Sequence, residues 1–187
     1  MIMNGNSSAE TLSVSIDDTR KLDTTRLLML LGLGVIVVAV HQAFRFPMNL
    51  PGRHGLDTMF LMTMGMLMVG NRWSGTATGI GAGGSAWVIG GGALAPLLYP
   101  ICGLVLAIAP RISVNWRRSL VVLPAIGALA WASRPLVRWI VAGTTGLEFE
   151  SIAAGLLWPV TTHLVFGFIG SLGAILVWRG CTGASKR

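Results

Sequence analysis

Charge is scarce in this 187-residue chain, where Lys, Arg, Asp and Glu make up 11% of the residues against roughly 25% in soluble domains. Hydrophobic residues supply 53%, and the mean hydropathy is +0.70. A water-soluble fold is therefore excluded. Acidic residues are the scarcest, seven against 14 basic ones. Such an imbalance fits a nucleic-acid binder only when the basic residues form a patch on a polar face, whereas here they punctuate apolar runs. Nucleic acid is not expected as a partner. The two cysteines, Cys102 and Cys181, offer no C-x-x-C or zinc spacing and read as free thiols.

Recognisable catalytic constellations are missing too. The sequence holds no H-E-x-x-H, no G-x-S-x-G, no paired carboxylates within an apolar run and no phosphate-cradling G-x-x-x-x-G-K-[ST]. It reads as a non-enzyme without a cofactor, and any ATP-driven role needs another subunit. Three histidines, His41, His54 and His163, have no mutual helical spacing that would announce a metal or haem site. Met59, Met62 and Met66, with Met64 and Met68, form a sulfur-rich run that suits copper but equally fills a packed helix. No metal is expected, and a metal or redox role is kept only as a third possibility.

What is present is a series of apolar segments of the length that crosses a bilayer, which is about 20 residues. Six are predicted, over 27–44, 56–70, 74–92, 94–110, 118–142 and 152–178. The fold class is thus an all-α membrane protein, a bundle of about six transmembrane helices. Residues 1–25 are polar, lack the apolar core of a secretory signal, and read as a flexible cytoplasmic tail; 26–180 form the membrane domain, and 181–187 a basic tail. With the amino terminus inside, ten of the 14 basic residues fall on the cytoplasmic side. The positive-inside rule then gives N-in, C-in topology in a cell membrane, the bacterial cytoplasmic membrane first. Trp73, Trp116, Trp139 and Trp178 sit near span ends, where indole rings favour the headgroup region, whereas Trp87, Trp131 and Trp158 lie deeper.

The third span is built of small residues. Gly75, Gly79 and Gly83 recur every four residues, and Ala77, Gly81 and Ser85 form a second row. In lipid, apolar side chains gain little by leaving acyl chains for a neighbour, so close backbone approach drives association. Such rows either pack the bundle internally or dock a partner membrane protein, and Gly75, Gly79 and Gly83 are the candidate docking row. Gly167, Gly170 and Gly173 in the last span add a smaller surface of this kind.

Polar candidates cluster around the first outer loop, which runs from His41 to Asp57 with Pro47, Pro51 and Gly52 as turn signals and several apolar residues. It should fold back on the bundle as a cap. Arg134 and Arg138 lie one helical turn apart and share a face. With Arg45, Arg53 and His54 they can clamp an anionic or strongly polar small molecule, although snorkelling to lipid phosphates is the competing reading. Trp158 and His163 flank Pro159, whose missing donor predicts a kinked, polar helix suited to a ligand cavity.

This organisation resembles the substrate-binding S components of energy-coupling factor (ECF) vitamin transporters. The resemblance is carried by six spans with both ends inside, the Pro/Gly-bearing loop, the Gly65-Met-Leu-Met-Val-Gly-Asn-Arg-Trp-Ser-Gly75 stretch, and the closing run from Pro159 through His163 to Gly173. It covers roughly residues 27–178. It implies a binder that captures a vitamin-like molecule under the first loop, partnered by a transmembrane coupling protein and cytoplasmic ATPases. In that family docking uses small residues on the first helix, and here the first span carries no clear Ala-x-x-x-Ala. The alternative function is a non-catalytic accessory subunit of a larger membrane complex.

Overall fold

A computed structural model of the chain describes residues 22–43, 50–113, 115–152 and 155–184, and all secondary structure among them is helical. Helix α1 spans Thr24–Ala43, α2 Gly55–Val69, α3 Ser74–Val88, α4 Ala95–Leu106, the short α5 Ala109–Ile112, α6 Val122–Thr145 and α7 Leu157–Ala184. Two single 3-10 turns, Trp116–Arg118 and Glu150–Ile152, lie in the connections.

Local chemistry sets these boundaries. Asp23 caps α1 by accepting a hydrogen bond from the Arg26 amide at 2.7 Å, so residues expected in the polar tail instead start the first helix. Gly70 ends α2 in the left-handed region (φ +71°), where its amide bonds the Met66 carbonyl. The Asn71 side chain then accepts from the Trp73 amide and turns the chain into α3. Ser119 takes the amides of Val121 and Val122 and starts α6 four residues later than the apolar pattern suggests. The predicted fourth span divides into α4 and α5 but remains one apolar stretch, Ala95–Ile112.

Among the described residues, three helical stretches are long and apolar enough to cross a membrane: Thr24–Ala43, Ala95–Ile112 and Leu157–Thr182. They turn large apolar side chains outward, among them Val35, Ile36, Leu97, Leu104, Ile169 and Leu176. The surface is therefore suited to acyl chains rather than water.

The helices pack as a closed ring in the order α1, α3, α4, α6, α7, α2, with α2 also reaching inward to α3 and α6. That inward position explains the methionines. Met59, Met62 and Met66 have no exposed surface and belong to one core cluster with Trp116, Leu123, Trp131 and Ile175, so these sulfurs fill space. Trp116, expected at the headgroups, is a core residue, whereas Trp73 and Trp139 are substantially exposed as expected for span ends.

Glycines let the ring close. A Cβ on Gly79 would stand 2.5 Å from the Tyr99 carbonyl oxygen, and Gly75 and Gly83 face Gly103 and Pro96 of α4 in the same way. Gly81 and Gly34 bring α3 against α1 on its other side. The row proposed for a partner is thus covered by α4 of the same chain, which leaves the packing alternative for Gly75, Gly79 and Gly83. Gly167 lies against Gly127 and Trp131 of α6, and Gly170 against the carbonyls of Gly55 and Leu56. Thr63 and Ser171 add a buried 3.0 Å hydrogen bond between α2 and α7.

Candidate functional site

One end of the bundle holds a half-open cavity of about 350 Å³. Its walls come from the end of α1 (Val38, His41), the 50–54 turn, Tyr99 of α4, Trp131, Arg134 and Arg138 of α6, and His163 of α7. Residues distant in sequence meet because the C-terminal ends of α1 and α3 and the N-terminal ends of α4 and α7 come to the same level as the middle of α6.

The 50–54 turn is held from below. Trp131 donates its indole N–H to the Gly52 carbonyl at 2.8 Å. Gly52 has a φ of +79°, and a Cβ there would lie 2.6 Å from the His163 ring. Both the backbone and the space demand glycine at this point. The described part of the first loop therefore caps the bundle as its composition predicts, while residues 44–49 lie outside the described residues.

Arg134 is only 8% exposed, and its guanidinium carbon sits 4.3 Å from the Trp131 ring centre and 4.6 Å from that of Tyr99. Each desolvated cation–π contact contributes up to about 2 kcal/mol. Two aromatic faces thus hold this arginine inside the protein, and snorkelling does not describe its geometry. Arg138 lines the same cavity, and both arginines also border a neighbouring pocket of about 270 Å³ under Leu147 and Phe149.

His163 stacks on Trp131 with ring centres 5.7 Å apart, and its Nδ1 lies 2.7 Å from the Pro159 carbonyl. It is at once a hydrogen-bonded structural residue and part of the wall. Opposite it, the His41 and His54 rings lie 3.9 Å apart, and Arg53 donates from Nε to His54 Nε2 at 3.3 Å. Burial, then the charges of Arg53 and Arg134, push the His54 pKa below the ordinary imidazole range, so the ring is neutral near pH 7.

Of the candidates read from sequence, the cavity gathers Arg53, His54, Arg134, Arg138 and His163. Arg45 lies outside the described residues. Trp158 is a correction. It is 60% exposed and absent from the cavity wall, because α7 begins at Leu157 and its first turn points this side chain outward. The kink expected at Pro159 falls away for the same reason, since a proline in a first helical turn lacks an amide that would be unpaired anyway. His41, Tyr99 and Trp131 were not among the candidate contacts. The i, i+3 relation of Trp131 to Arg134 on one helix, nearly a full turn, was the available signal for the tryptophan; nothing in the sequence ties Tyr99 to either. Compared with known proteins, the chain matches no family model, no curated protein and no solved structure.

Proposed function

We propose that this protein is a non-catalytic, membrane-embedded binding subunit that captures a small polar molecule in the cavity beneath the 50–54 turn. The observation that carries the reading is the convergence of three arginines, three histidines and two aromatic rings from five separate segments on one space of about 350 Å³. That volume suits a small metabolite, and charged groups fixed against aromatic faces are suited to orient one.

In this reading all six long helices cross the membrane, with both termini in the cytoplasm and the cavity near the outer face. Arg26, Arg72, Arg111, Arg117, Arg118 and Arg179 belong to the end of the bundle opposite the cavity, which supports that orientation by the positive-inside rule. Helix α2, with 15 residues, spans about 22 Å and relies on its interior position to be shorter than the bilayer. Uptake would be energised by a transmembrane coupling protein and cytoplasmic ATPases, as in the ECF S components that the sequence resembles, in a bacterial cytoplasmic membrane.

Purification in mild detergent followed by mass spectrometry of released small molecules tests this. A stoichiometric metabolite whose retention drops at least roughly tenfold in Arg134→Ala is expected, the loss of one charge-assisted contact. Protein that retains no small molecule and copurifies invariably with other membrane subunits would instead favour the accessory role.

A further inference from the structure

Beside the arginines, a second chemistry adjoins the cavity. His41 at the end of α1 and His54 in the turn line it, Asp57 in the first turn of α2 lies next to them, and each offers a ligand atom, all within 4.8 Å of one another. His41 Nδ1 and His54 Nδ1 are buried with no hydrogen-bond partner, and the Asp57 carboxylate, which bonds no other side chain, has only the backbone amides of Asp57 and Thr58 beside it. Buried polar atoms are ordinarily satisfied, so two open imidazole nitrogens beside a carboxylate ask for a common partner. We propose that His41, His54 and Asp57 bind a first-row divalent transition-metal ion in the wall of the cavity. The inference deepens the cavity reading and rests on it for one point only, that the open coordination positions face a space that admits cargo.

Two neutral imidazoles and one carboxylate form a borderline donor set. It suits zinc, nickel, cobalt, copper(II) or iron(II), whereas magnesium and calcium favour oxygen alone. Ligand atoms held about 2.0–2.2 Å from a four-coordinate ion stand roughly 3.3–3.6 Å apart, so the cluster closes by about 1 Å through side-chain rotation. All three residues sit on or beside helix ends, and His54 belongs to the turn that Trp131 fixes, so side-chain rotation is the adjustment this backbone permits.

The surrounding charge gives the site its direction. Arg53 and Arg134 oppose a bare cation, and Asp57 offsets only one charge. An ion held here therefore gains from an anionic oxygen or nitrogen donor in the cavity, which the same arginines attract. Metal and anionic cargo would bind better together than apart. If His54 coordinates through Nδ1, its proton moves to Nε2 and the long contact from Arg53 Nε is lost. Removing Arg53 should consequently strengthen metal binding while weakening an anion.

The test uses the full, tag-free chain in detergent, stripped with a chelator and titrated with Zn²⁺, Ni²⁺, Co²⁺, Cu²⁺ or Fe²⁺ against a chromophoric competitor, with bound metal counted by mass spectrometry. One ion per chain is expected. His41→Ala and His54→Ala should each weaken it at least roughly 100-fold, and Asp57→Asn at least roughly tenfold, since losing even an outer-shell partner of a metal ligand costs about 10- to 100-fold. Arg53→Ala should tighten it several-fold. X-ray absorption of the loaded wild-type protein, which needs no variant to fold, should show two imidazoles around the metal. No bound ion, or an ion unaffected by His54→Ala and lacking two imidazoles, overturns the proposal; Cys181→Ser identifies binding at the exposed thiol. A retained metabolite with no metal would sink this inference and leave the cavity reading intact. A metal without any organic molecule would support the inference and overturn the metabolite as cargo.

Discussion

Helices α3 and α6 meet their neighbours in opposite ways. Along α3, glycine and alanine remove side chains until the backbones of α1 and α4 almost touch it, and no room remains. Along the cavity half of α6, Trp131, Arg134 and Arg138 project into the bundle and hold its walls apart. In a membrane, where apolar burial contributes little to helix association, the first arrangement supplies the adhesion and the second spends some of it on an open, polar space. Close packing and the cavity are thus separated onto different helices of one ring. Substitutions on the faces of α3 that meet α1 and α4 should unfold the protein, and those lining the cavity on α6 should open or empty it.

The sharpest way to break this division is Gly79→Val. Its Cβ alone would come 2.5 Å from a backbone carbonyl of α4, and two further methyls worsen the overlap, with no flexible side chain able to give way. A loss of about 3 kcal/mol, at the upper end for overpacking, is expected, seen as a lower unfolding midpoint in detergent and early aggregation on size exclusion. If Gly79→Val unfolds like the wild type, α3 is not the adhesive element.

Next comes Gly52→Ala, which acts on the cavity side. A methyl group here both strains a left-handed residue and strikes the His163 ring at 2.6 Å. Backbone strain costs about 1–3 kcal/mol, but it falls on a turn at the edge of the bundle rather than on its core. The 50–54 turn should therefore lift from Trp131, with faster hydrogen exchange over these residues and roughly tenfold weaker retention of a bound molecule, while the unfolding midpoint changes less than in Gly79→Val. Equal losses of midpoint in both variants would erase the distinction between the two helices.

How far the sequence disclosed this depends on which kind of order is asked about. Helices were legible because long apolar runs broken by Asn71, Gly70 and Ser119 leave few alternatives, and only the ends moved where a cap or a proline intervened. The arginine pair on α6 was legible from its one-turn spacing. Pairings across the ring were not: Tyr99 reaches Arg134 only because α4 neighbours α6, and His41 meets His54 only because the 50–54 turn lies beside the end of α1. Linear spacing carries no trace of either. The small-residue rows on α3 were visible, but whether they gripped α4 or a foreign helix depended on that same ring order. Trp158 illustrates the reverse error, since its nearness to His163 in sequence became separation in space once α7 began at Leu157.

The smallest expected effect lies on α3 itself and separates the reason for its glycines from their mere abundance. Gly84 belongs to the same run, yet nothing stands within 4 Å of a Cβ built on it, and it is exposed on the outer side of the helix. Gly84→Ala creates no contact with α1 or α4 and removes a glycine from a helix interior, where alanine is favoured by up to about 1 kcal/mol. The unfolding midpoint should stay unchanged or rise slightly, and the retained ligand should be the same as in the wild type. A destabilisation comparable to that of Gly79→Val would mean that a surface outside this chain packs against Gly84, turning the outer side of α3 from lipid contact into an interface.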